Sequence, residues 1–474
     1  MGSREQVLAE APDSSQVREA DVVLPGFVDS HIHALWLGRA QFRLDLDRAP
    51  SVAAMCQAIR ERAETVPPGG WILGSAGVAE SDLAERRLPS LAELDAAAAG
   101  RPLYLDRRGH DALANSAALE LAGIGSDTPN PPGGHIDRGP DGKATGLLCE
   151  RPAAALVEGV IPSPSLDEVC AWISAAHKRL LAVGVTTVAD PALSIDEIAA
   201  YAEAARRGVL RVRTVVFPLG GDHIDPDALW QQALETGAAE AAPEQLGLGP
   251  VKLFLDGAGG LGTALRRDPW PDTGSPGMQV TSSRTLHDYA DWAWKRGKGL
   301  AVHTVGPRAV ELALDAFESA SSGAPWPRGR MHLIHAYLEQ ERSSMQRAAR
   351  LGIGVSVHPA LHHNARSGLQ ARFGPQADEK IVRVADWLAS GALVGGGSDG
   401  PGCELDPLVA IRELVPSTGL DAALRFYTGD AAAVIGRDAG KLSPGVRADL
   451  LLGSFGPDGQ IARVEAVLGG TAVR

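Results

Sequence analysis

The chain has 474 residues, 45% of them hydrophobic and 22% charged, a composition of globular enzymes rather than fibrous or disordered chains. Its formal charge of −13, with Lys and Arg dispersed along the sequence, excludes a phosphate-tracking basic face and therefore nucleic acid as a partner. There is no run of about 18 apolar residues, so no membrane is expected, and the polar start of the chain carries no hydrophobic signal core, so a cytoplasmic location is expected.

The length exceeds what a single core usually supports unless the fold is a closed barrel with insertions. A first strand is expected over residues 22–33. Residues 37–165 then form a stretch too long for a crossover and too patterned for a loop, punctuated by Val66-Pro-Pro-Gly-Gly70 and Thr128-Pro-Asn-Pro-Pro-Gly-Gly134; it reads as an inserted subdomain and a substrate wall or lid. Its apolar character suggests a hydrophobic substituent on the substrate. Further strands are expected at residues 186–190, 211–217, 250–256, 299–303, 331–335, 353–358 and 393–398. Helical periodicity lies between them at residues 225–235, 285–296, 308–319, 339–351 and 380–390, with apolar positions recurring at three and four. Such alternation implies parallel strands with right-handed crossovers, and the strand total closes a (β/α)₈ TIM-like barrel over residues 22–429. Residues 1–21 and 430–474 are expected to form a small, reduced β-sandwich appendage. The four cysteines, Cys56, Cys149, Cys170 and Cys403, show no Cys-x-x-Cys spacing, which excludes a thiolate zinc site and fits a reducing compartment. Cys403 alone stands close enough to a candidate site residue, Asp399, to line a pocket.

His31 and His33 are two residues apart, so on a strand both rings face one side and can share a metal. The alternative is a solvent-facing polar pair, which the apolar run before them disfavours. Lys252 stands inside the apolar strand Val251-Lys-Leu-Phe-Leu-Asp256, where a buried ammonium needs a partner or a modification. Pairing with Asp256 is one relief; conversion to a carbamate by carbon dioxide is the other. His303 and His335 each end a strand, where parallel barrels display catalytic groups, although a lone strand-end histidine is more often structural. His332, three residues before His335, should point to the opposite face and pack. Asp399 follows a glycine run and precedes Gly-Pro; alone it would read as a capped turn, but with the histidines it reads as a carboxylate that binds metal and moves a proton.

These positions resemble the metal centre of the amidohydrolase superfamily. Leu24-Pro-Gly-Phe-Val-Asp-Ser-His-Ile-His33, Val251-Lys-Leu-Phe-Leu-Asp-Gly257, Ala301-Val-His303, Gly397-Ser-Asp399, Ser443-Pro-Gly-Val-Arg-Ala-Asp-Leu450, Gly109-His-Asp-Ala-Leu-Ala-Asn-Ser-Ala-Ala-Leu119 and Asp127-Thr-Pro-Asn-Pro-Pro-Gly-Gly134 look like the blocks of its family 3 branch, which includes N-substituted formamide deformylases. The resemblance implies one or two divalent ions, zinc foremost, held by His31, His33, carboxylated Lys252, His303, His335 and Asp399. It further implies hydrolysis of a non-peptide carbon–nitrogen bond, an amide such as an N-formyl or N-acyl group, by metal-bound hydroxide. Cyclic-amide hydrolysis and deamination use the same constellation, and a non-catalytic metal-binding barrel would predict a broken ligand set. His110 is the foremost candidate substrate contact, followed by Trp36, Arg308 and His363. The sequence departs from the family at His332-Leu-Ile-His335, at Gly306-Pro-Arg308, and at His358, where glutamine is common. The N-terminal segment is shorter than in relatives, so the sandwich is expected to be reduced. A homodimer is the base-rate expectation.

Overall fold

The computed structural model describes residues 19–78, 80, 83–107, 111–131, 134–149, 151–457 and 461–472. The chain divides into two compact units, one made of the residues up to Ala34 and from His177 onward, the other of Leu35–Ala176.

In the first unit, β1 (Val22–Pro25) and β2 (Phe27–Asp29) replace the single strand expected over residues 22–33. Gly26 lies between them, and a Cβ there would meet the Thr186 side chain at 2.2 Å, so the chain turns where only a glycine fits. β2 pairs in parallel with β3 (Val185–Leu193), β3 with β4 (Arg213–Pro218), and β4 with β5 (Leu246–Leu248). A second parallel run joins β6 (Val251–Phe254), β7 (Leu300–Thr304), β8 (Met331–His335), β9 (Gly354–Val357) and β10 (Leu393–Gly396) in chain order. β6 is the strand expected over residues 250–256, whereas β5 precedes it and is not among the expected strands; between them the Gly249 N–H donates to Val216 O at 2.9 Å. The backbone of Lys252 bridges to Leu219, and the Ser30 N–H just beyond β2 donates to Gly396 O at 2.9 Å.

These strands are nearly all buried, as parallel strands covered by helices must be. Val28, Val215, Phe217, Ala301 and Ile334 pack against residues 431–435. Helices Pro226–Glu235, Ser283–Arg296, Pro307–Ser321 and Arg342–Arg350 fall where periodicity placed them. The helix expected over residues 380–390 is instead interrupted. Ala377–Lys380 and Val384–Ala389 are separate, because Ile381 bridges to Leu338 and the Val382 N–H donates to Tyr337 O at 2.7 Å. At the chain's end, β11 (Leu450–Phe455) pairs antiparallel with β1 and with β12 (Ile461–Leu468), and β12 with β13 (Thr471–Ala472).

The second unit contains a six-stranded mixed sheet in the order Leu44–Asp45, Ile72–Ser75, Leu103–Arg107, Asp111–Ala114, Ala144–Cys149, His135–Arg138. Helices Val52–Thr65 and Leu91–Ala98 bury Met55, Ile59 and Leu94 in one apolar cluster; Ser116–Leu121 and Arg151–Glu158 contribute Leu119, Ala154 and Val157 to another. Caps fix where helices begin: Ser90 and Glu93 form a reciprocal capping box on Leu91–Ala98.

Candidate metal centre

Five of the residues singled out in the sequence sit at or just beyond the C-terminal ends of parallel strands of the first unit, and a sixth, Lys252, lies within one. His31 and His33 follow β2, Lys252 lies on β6, His303 on β7, His335 ends β8 and Asp399 follows β10. The strand's two-residue period puts Lys252, Phe254 and Asp256 on one face of the β6 segment, and the Lys252 Nζ lies 4.6 Å from the Phe254 ring centroid.

The groups converge. His31 Nε2 lies 3.4 Å and His33 Nε2 3.7 Å from the same Asp399 Oδ1. Ring centroids are 5.3 Å apart for His31 and His33, 5.4 Å for His31 and His335, and 4.6 Å for His303 and His335. His31, His33 and Asp399 each offer a donor atom within 4.8 Å of the others, a spacing one cation can satisfy.

The electrostatics favour metal ligation over ion pairing. Burial pushes the imidazoles of His31 and His335 well below their ordinary range, with the nearby Lys252 charge adding for His31 and His303 adding for His335. Burial lowers His303 to about 3. His33 is also lowered by burial, against the opposing pull of Asp399. All four are therefore neutral imidazoles at physiological pH, the form that binds metals. Lys252, with no exposed surface, is lowered to about 7 by burial, against the opposing pull of Asp399 and Asp256. Its Nζ has no hydrogen-bond partner, and neither has the Nδ1 of His31 or of His335. Orphaned buried donors and acceptors of this kind each cost about 1–3 kcal/mol unless something binds them. A divalent cation satisfies this donor set of imidazoles, an amine that can become a carbamate, and a carboxylate.

The alternative pairing of Lys252 with Asp256 does not form. Asp256 instead accepts backbone N–H groups from Leu265, Val305 and Gly306 at 2.9, 2.9 and 2.8 Å, tying the loops after β6 and β7 together. His303 Nε2 faces Gly257 O at 3.1 Å, so with the proton on Nε2 its Nδ1 is left as the ligand atom. Asp29 plays the matching part beside His31: its Oδ1 accepts from His31 N at 3.1 Å and Ser398 N at 3.0 Å. Sequence reasoning missed Asp29 and Asp256 as organising residues, although each shares strand parity with the ligands beside it. It also treated His358 only as a departure. His358 ends the β9 segment, and its ring lies 4.8 Å from His335 and 5.1 Å from His31. The strand-end position that marked His303 and His335 marks it equally.

Two site residues have backbone φ in the left-handed region, His335 at 74° and Asp399 at 57°. Non-glycine residues occupy that region only where surrounding contacts hold them there.

The expected substrate contacts have the following surroundings. Arg308 donates to Glu311 at 3.1 Å on the helix Pro307–Ser321. His363, expected in a polar loop, lies instead on the helix Pro359–Phe373, which Pro359 starts at N1, with its Nε2 3.0 Å from Glu413 Oε2 on the surface. Trp36 belongs to the second unit, where its ring lies 5.9 Å from the Arg39 guanidinium carbon. His110 lies outside the described residues. His332 packs as expected, with its ring 5.7 Å from Phe217. Burial pushes the Cys403 thiol up to about 12, leaving it unreactive.

Comparison with known proteins follows the same lines. Residues 20–466 match the profile described as the amidohydrolase family. The chain belongs to that family. It is 30% identical to the putative amidohydrolase YtcJ of Bacillus subtilis (strain 168), over 94% of this chain and 87% of that protein. It is 29% identical to an N-substituted formamide deformylase of Arthrobacter pascens, over 95% and 87% respectively. A crystal structure of an uncharacterized metal-dependent hydrolase from Pyrococcus furiosus superposes with a TM-score of 0.73 at 26% identity, covering 90% of this chain and 86% of that one. The amidohydrolase is accordingly an enzyme, a metal-dependent hydrolase acting on carbon–nitrogen bonds. Among the described residues no helix is long and apolar enough to cross a membrane.

Proposed function

We propose that this amidohydrolase cleaves the amide bond of an N-formyl or N-acyl small molecule, releasing a carboxylate and an amine. The observation that carries the reading is the set of buried neutral imidazoles around Lys252 with Asp399 Oδ1 3.4 and 3.7 Å from His31 and His33. The formamide deformylase among the relatives supports an acyl group as small as formyl. A divalent ion, zinc first among the candidates, would polarise the carbonyl and acidify water when bound by His31, His33, Lys252, His303, His335 and Asp399.

The protein's own groups do the rest. Burial keeps a large fraction of Lys252 as the free amine near pH 7, so its nitrogen can form a bond to carbon dioxide and lose a proton, giving a carbamate with two ligand oxygens. Asp399 Oδ1 takes a proton as water attacks and delivers it to the departing amine, which cannot leave as an anion at neutral pH. Asp29 and Asp256 fix the loops that aim His31, Asp399 and His303. Closure of the parallel strands into a (β/α)₈ barrel, supported by the Ser30 to Gly396 hydrogen bond, places these groups around one mouth. The scattered cysteines, with no Cys-x-x-Cys spacing, support a reducing, cytoplasmic setting.

The test is a panel of N-substituted formamides, N-acyl amines, cyclic amides and aminated heterocycles, with formate, carboxylate, amine and ammonia each quantified. Equimolar carboxylate and amine, formed by the wild type and absent with Asp399→Asn, are expected. Ammonia or a ring-opened product as the only turnover would overturn the N-acyl reading.

A further inference from the structure

We propose that His358 is itself a metal ligand, forming with His31 and His335 a three-imidazole face that holds one ion whether or not Lys252 is carboxylated. The inference rests on the metal-dependent reading above and adds a ligand to it.

The geometry sets this histidine apart from a packing residue. His31, His335 and His358 are all buried, and each offers a nitrogen within 4.8 Å of the others. The ring centroids, 5.1 Å from His31 and 4.8 Å from His335, place His358 as near to either as they are to the other expected ligands. His358 has no exposed surface, and neither of its ring nitrogens has a hydrogen-bond partner among the described residues. On the Nδ1 side the ring lies against Gly397, where a Cβ would meet Nδ1 at 2.8 Å and the His31 backbone nitrogen and oxygen at 2.9 Å. The backbone just beyond β10 thus comes as close to the ring as a glycine permits. A buried imidazole nitrogen without a partner is costly, and a shared cation is the group that would satisfy three of them together. A glutamine at this position would have a comparable reach but would offer a much weaker amide oxygen.

The test titrates metal-free full-length protein with cobalt(II) under bicarbonate-free conditions, reading stoichiometry, affinity and visible d–d bands for the wild type, His358→Gln and Lys252→Ala. Expected is one ion bound by the wild type and by Lys252→Ala within about tenfold of each other, and about 100-fold more weakly or not at all by His358→Gln, with altered bands. Affinity and bands unchanged in His358→Gln would overturn the proposal while leaving the hydrolase reading intact, and so would loss of all cobalt in Lys252→Ala. Cobalt binding absent from the wild type would overturn both. If circular dichroism shows that His358→Gln fails to fold, X-ray absorption on wild type carrying one equivalent of zinc decides: three imidazole ligands support the proposal and two or fewer overturn it.

Discussion

Asp399 is the residue on which the proposed chemistry and the proposed ligation meet. Asparagine has the same shape and tolerates left-handed φ better than most residues, so Asp399→Asn should keep the backbone in place while removing the proton carrier. A fall in kcat of about 10²–10⁴-fold, with metal content by plasma mass spectrometry lowered by no more than one equivalent, is the expected result; unchanged turnover would assign the proton to another group. The candidate ligands were legible in the sequence because each breaks a local rule: a lysine inside an apolar strand, histidines at strand ends, an aspartate after glycines. Asp29 and Asp256 were not, because strand parity puts them beside the candidate ligands but does not reveal the backbone N–H groups of Ser398, Val305 and Gly306 that they accept from across the fold.

The loops between strands and helices depend on a few such contacts. Asp256→Ala would strand the N–H groups of Leu265, Val305 and Gly306 in a region water does not reach. A loss of about 3 kcal/mol or more is expected as a lowered urea midpoint, whereas Asp256→Asn, which keeps an acceptor, should lose less. Gly397→Ala probes the opposite problem, too little room. Its methyl would press on the His358 ring and the His31 backbone, both within 2.9 Å, and overpacking of this kind costs about 1–3 kcal/mol. Weaker metal uptake should accompany it, measured by competition with a chromogenic chelator; wild-type affinity would show that the ring moves aside freely. Strand positions along β3 to β10, apart from β5, followed from alternation of apolar runs and helices. The break after Lys380 and the helix from Pro359 did not, because the first is imposed by pairing with Leu338 and the second carries too many polar residues for a clear apolar stripe.

Across the whole molecule, buried histidines make stability a function of pH. His177 is held near 3, and His332 and His358 near 4, by burial, with His31, His33, His303, His335 and His362 lowered as well. Unfolded histidines titrate near 6.5, so between about pH 4 and 6.5 the unfolded chain binds more protons and stability rises with pH. Asp29 and Asp256, pushed up to about 7 by burial, oppose this from about pH 4 to 7, but two carboxyls are outweighed by eight imidazoles. Lys252, lowered to about 7, adds stability as pH rises from there towards 10.5. Metal-free protein should therefore lose stability steeply below pH 6.5, by about 1.4 kcal/mol per pH unit for each net proton. Denaturant midpoints from pH 5 to 7.5 check this; a flat profile would mean that the imidazoles are hydrated.

The left-handed backbone at His335 and Asp399 sets selection for robustness against selection for turnover. Judged by folding alone, glycine is the better residue at φ 57°, so a library screened only for heat resistance should enrich Asp399→Gly, and its most durable members would be proteins that have stopped being enzymes.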